Sequence, residues 1–127
     1  MYDPPTLAEL VSAVREFLEE QAMPNLEGRD AFHARVAANA LAIVARQLEL
    51  GPEAEASEQV RLQALLGNEG SLDELNRELC RRIRSGDLAI DDPDLLDHLH
   101  TTTLDKVAVD QPKYSGYRRA LEKRSSP

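Results

Sequence analysis

Wherever apolar residues gather in this chain they recur three and four positions apart, and over no useful length do they alternate. That spacing puts them on single faces of helices and leaves no stretch that reads as a half-buried strand. The available core material agrees. Apolar residues make up 42% of the chain, but these include only two Phe and three Tyr and no Trp. Leu, Ala, Val and Ile must therefore fill the interior, which suits close-packed helices better than a sandwich. At 127 residues the chain is sized for one domain, and it is long enough to bury roughly two-thirds of its unfolded surface without staples. The expected fold is all-α, a single-domain bundle of about five helices. The bundle occupies residues 1–112, and a basic, partly flexible C-terminal tail follows over 113–127.

Start and stop signals place the helices. Thr6, with Glu9 three residues on, forms a capping box ahead of the stripe Leu7, Leu10, Val11, Val14 and Leu18, which Pro24 ends. A second helix runs from about Arg29 to Leu50 and stops at Gly51-Pro52. Its residues 31–44 are apolar around most of the circumference, the signature of a central helix. A third extends from near Glu53 to Leu66, with Gly67 just beyond. The fourth opens on a second capping box, Ser71 with Glu74. It turns Leu72, Leu75, Leu79 and Ile83 inward and closes with arginines before Gly86. The fifth has Asp92 as cap and Pro93 in its first turn, continues through Leu95, Leu96, Leu99 and Val107, and stops before Pro112.

Charge is unevenly distributed. The chain carries −8 overall, but from Lys113 onward five basic residues face the single Glu122, a net +4, so residues 1–112 carry −12. An acidic body of this kind argues against nucleic-acid binding, which needs a basic surface. The basic end (Lys113, Arg118, Arg119, Lys123, Arg124) is of a sign to meet an anion or an acidic partner, although its plainest role is a solvated, frayed end. No run of about 18 apolar residues suggests a membrane span, and Met1-Tyr2-Asp3-Pro4-Pro5 lacks a basic export signal, so a cytoplasmic location is expected. A lone cysteine, Cys80, excludes an internal disulfide and a cysteine-based zinc site. It sits near the fourth helix's apolar stripe, which suggests burial as a small hydrophobe.

Few polar residues stand out against this background. On the second helix Arg35, Asn39 and Arg46 fall on one narrow stripe, suited to grip a carboxylate or phosphate or to pair with acidic neighbours. His33 lies on the opposite side beside Ala37, Ala40 and Val44, where a core histidine is the plainer reading. His98 and His100 diverge by about 200° and cannot chelate together, while Asp94 and His98 make only two ligands of a site. At least one hydroxyl of Thr101–Thr103 should bond back to the preceding turn. Lys106 and Asp110 are spaced to pair along a helix, and Tyr114 is placed to fold back and pack its ring. The candidate binding residues are thus Arg35, Asn39, Arg46, His33, Lys106 and Tyr114. Neither a phosphate loop nor a nucleotide fingerprint is present, and no nucleophile elbow or selected acid–base pair appears. No catalytic residue, metal or cofactor is expected.

Three segments carry a resemblance: Leu26 to Val44, Leu75-Asn76 with Ile83 to Gly86, and Lys106 to Tyr114. Together they resemble a family of small bacterial helical proteins known as a domain of unknown function, whose members are typically encoded beside aminoglycoside-phosphotransferase-like kinases and acyl-CoA dehydrogenases. The likeness runs from about Thr6 to Tyr114 and is most specific over Phe32–Leu41; Gln111 stands where the family pattern has Asn. It implies an accessory subunit needed by a kinase acting on hydroxyacyl-CoA, with the dehydrogenase as a further link. A homodimer and an acyl-CoA- or carboxylate-binding helical module are the other expectations.

Overall fold

A computed structural model describes residues 3–127, and they are helical with no strand among them. Helix α1, Leu7–Glu16, begins on the expected capping box: the Glu9 amide donates to the Thr6 hydroxyl, and the Thr6 amide donates to the Glu9 carboxylate. The helical path continues through a π-helical stretch, Phe17–Ala22, into the short α2, Met23–Asn25. Pro24 therefore lies inside the helical path and does not end it. The widened turns fall just where the ladder must do without the Pro24 N–H. Helix α3 spans Gly28–Leu66, α4 Leu72–Ser85, α5 Pro93–Asp110 and α6 Ser115–Ser125.

The expected break at Gly51-Pro52 does not occur. Pro52 lies inside α3, and Gly51 is not among the glycines with positive φ, so the left-handed residue that ends many helices is missing there. Helix-favouring Leu48, Glu49, Leu50, Glu53 and Ala54 flank the pair, and one missing N–H does not outweigh them. Gly67, at φ 68°, supplies the actual stop, and Gly86, at φ 81°, ends α4 in the same way. Among the described residues the total of five helical rods matches expectation by a different route. Two expected helices are one, and the basic end carries a helix, α6, that periodicity did not mark.

By compactness the chain falls into two units, Met1–Gly51 and Pro52–Pro127. In the second, Leu62 and Leu66 of α3, Leu75 and Leu79 of α4 and Leu95 of α5 form a buried leucine cluster, with Leu65, Leu72, Ile83 and Leu88 packed against it. Polar ties lock the edges of that cluster. Arg82 donates to the Leu66 carbonyl at 2.8 Å, satisfying an acceptor that the end of α3 leaves open. Gln59 donates to the Gly70 carbonyl and Asn76 to Glu58. Hydrogen bonds from Arg81 and Arg82 hold the Glu78 carboxyl down to about 2. The Ser71–Glu74 capping box and the Asp92 cap form as expected, and the Thr103 hydroxyl bonds back to the Leu99 carbonyl.

The first unit is built differently. Among its described residues the only buried side chains are Ala34 and Ala38. Residues 31–44 do not form the central, enclosed helix that their composition suggests. Phe32, Val36, Ile43 and Leu50 are 57, 49, 37 and 40% exposed, and α1 leaves Leu7, Leu10 and Val14 exposed as well.

Candidate functional site

The second unit contains a cavity of about 260 Å³ between α3 and α5, lined by Arg61, Ala64 and Leu65 from one helix and Asp94, Asp97 and His98 from the other. His98 is placed there by the spacing of α5. Leu95, His98 and Val109 share an inward face, and all three are buried. At 3% exposure, His98 is the one buried polar side chain among the described residues. Burial, and then the nearby Arg61 charge, lower its pKa from 6.5, against weaker opposing pulls from Glu58 and Asp97. The ring is therefore neutral at neutral pH. Its Nδ1 is shut away without a hydrogen-bond partner, and the residue forms part of the cavity wall.

Arg61 reaches across to α5. Its Nη2 donates to the Thr102 hydroxyl at 3.2 Å and stands 3.7 Å from an Asp105 carboxylate oxygen, while its Nε is buried without a partner. The lining thus combines a neutral imidazole, a guanidinium anchored at one end and two carboxylates. Such a set can orient a small polar molecule by hydrogen bonds, and the imidazole can exchange a proton with it. No serine, threonine or cysteine lines the cavity to act as a nucleophile. Among the described residues no group of three His, Cys, Asp or Glu is placed to hold a metal, so Asp94 and His98 lack a third ligand.

None of the six residues expected to bind a ligand lines this cavity. Arg35 and Asn39 are exposed on α3 and Arg46 is half-buried. His33 is not a core histidine: it is exposed, accepts from Arg29 Nε at 3.3 Å and meets the Phe32 ring edge-on. The side of α3 chosen for it faces solvent because the buried side is the one carrying Ala34 and Ala38. Lys106 is exposed on α5. Tyr114, just before α6, lays its ring over Gly116 and stays 56% exposed. Cys80 is exposed too, because the inward stripe of α4 runs through Leu75 and Leu79 and turns position 80 outward. Arg61 and Asp97 were missed altogether. The available signal was the register of α5, where His98 sits one turn from Leu95 in line with Val109 and must bring some polar neighbour inside with it.

These features define an all-helical protein with a small mixed-charge cavity in one unit and an exposed apolar seam on the other. The chain belongs to the family described as Domain of unknown function (DUF6285), which matches residues 24–114. No curated protein and no solved structure matches it. No helix among the described residues is long and apolar enough to cross a membrane.

Proposed function

We propose that this protein is a non-catalytic accessory subunit of an aminoglycoside-phosphotransferase-like kinase that acts on hydroxyacyl-CoA in the cytoplasm, with an acyl-CoA dehydrogenase as a functional neighbour. The observation that supports this is the exposed seam of α3. Phe32, Val36, Ile43 and Leu50 fall within about 40° of one another around the helix, opposite the buried Ala34 and Ala38. With Asn39 and Arg46 they complete the spacing 4, 3, 4, 3, 4 of a helix-pairing seam. Two polar positions within such a seam set register and partner choice. An exposed row of large apolar side chains is a common mark of an interaction surface.

Co-expression with an aminoglycoside-phosphotransferase-like kinase of the same genome tests the reading. A complex should form, Val36→Glu with Ile43→Glu should abolish it, and kinase turnover should fall without this chain. If the two proteins run separately and turnover is unchanged, the proposal fails.

The cavity between α3 and α5 favours a second reading, a helical module that binds acyl-CoA or a carboxylate. Buried Arg61 Nε lacks an acceptor, and the guanidinium fork suits anionic groups. Calorimetric titration with CoA thioesters should then show saturable heat that Arg61→Gln removes; a flat trace at millimolar thioester eliminates this reading.

A further inference from the structure

We propose that the groove between α5 and α6 is a binding site for the diphosphate group of a small phosphorylated molecule. The two helices pack against each other and leave a cavity of about 430 Å³, lined by His100, Gly116, Arg119, Ala120, Lys123 and Arg124. That is a size typical of small-molecule sites. Three permanent cations and an imidazole converge there, and no carboxylate is part of the lining. The arrangement follows from helical spacing. Positions 116, 119, 120, 123 and 124 of α6 recur on one face, while Glu122 and Arg118 fall outside it. Ala120 keeps that face low between the cations, and at Gly116 the missing side chain makes room for the Tyr114 ring. Arg124 is held toward α5 by Nη2 donating to the Thr101 hydroxyl at 3.4 Å, and its other donors stay uncommitted to that bond.

The charge of the rest of the chain sharpens the point. Residues 1–112 carry −12, so a concentration of positive charge at one groove is a local feature against an opposing background. A single phosphate monoester brings about −2, short of the three cations, whereas two linked phosphates match them. Guanidinium groups bind phosphate oxygens bidentately, and the lysine adds a point charge. A concave groove favours a small molecule over an acidic protein surface, which would need a wider, flatter patch. The cations come from α6, beyond the residues that match the family, and the inference does not depend on either functional reading above.

Isothermal titration of the full chain with inorganic pyrophosphate at low salt provides the test. Saturable binding at one site per chain is expected, weakening as salt rises. Arg119→Gln and Lys123→Gln, both at exposed positions that leave the fold intact, should each weaken binding about tenfold. Arg118→Gln removes the same charge from the same helix outside the groove and should change affinity less than about twofold. Absence of saturation at ~10 mM pyrophosphate overturns the proposal. An equal loss with Arg118→Gln also overturns it, because the attraction would then be diffuse. Tighter binding of hexaglutamate than of pyrophosphate would assign the groove to an acidic protein and defeat the small-molecule reading.

Discussion

The two units of this chain spend the same residue types in opposite ways. In Pro52–Pro127 leucines from three helices close on one another, and Leu62, Leu75 and Leu95 are 0 to 1% exposed. In Met1–Gly51 the fully buried side chains are alanines, while Leu7, Leu10 and Val14 of α1 and Phe32, Val36 and Ile43 of α3 are exposed. Small residues permit a close approach between helices but remove little apolar surface from water. The first unit thus obtains little stabilisation from burial and keeps an apolar seam exposed. The second obtains its stability internally and reserves its polar groups for cavities.

Truncations and charge changes turn that contrast into measurable differences. Leu75→Ala, at 1% exposure, should cost about 2–5 kcal/mol in urea unfolding. Val36→Ala on the exposed seam should cost less than about 0.5 kcal/mol in the isolated protein. Equal losses at the two positions would erase the distinction between the units. Ala38→Leu probes the alanine contact from the other side. At 3% exposure the added carbons should overpack it by about 1–3 kcal/mol, read from the same urea midpoints. A smaller loss is expected where the second unit depends on a cap. Ser71→Ala removes the hydroxyl that accepts from the Glu74 amide and should lower stability by about 1 kcal/mol in thermal unfolding.

A further difference should appear with pH. Because burial lowers the His98 pKa, the unfolded chain takes up a proton more readily than the folded one. The stability this contributes is complete above the ordinary value of 6.5 and is lost as pH falls through it toward the folded value. The melting temperature should therefore drop between about pH 7.5 and 5.5, and His98→Gln should flatten that part of the profile. Least of all should come from Arg77→Ala on α4. Its pair with Asp73 is 2.9 Å long but 80 and 73% exposed, so the melting temperature should hardly move.

Helix termini were legible in the sequence because they are local. The Thr6–Glu9 and Ser71–Glu74 boxes, the Asp92 cap and the stops at Gly67 and Gly86 each need only a few neighbouring residues, and each forms as read. Gly51-Pro52 misled for the same reason. The pair resembles a stop, but the helix-favouring residues on both sides carry α3 through it. Helix α6 was missed because five of its eleven residues are charged and the rest offer no apolar stripe. His98 was noted while Arg61 and Asp97 were not, since a cavity joins residues from α3 and α5 that no sequence spacing connects.

By itself the amino-acid sequence determined that this chain is all-helical, where most of its helices begin and end, and where its charge lies. Those properties depend on hydrogen bonds and side-chain spacing within a turn or two. Tertiary structure alone decided which apolar face is covered. Ala34 and Ala38 became the inner side of α3 and Phe32, Val36 and Ile43 the outer side, although both faces are apolar enough to be buried. It likewise brought Arg61 to His98 and lined α6 against α5, because only packing brings residues far apart in the chain within reach of one another.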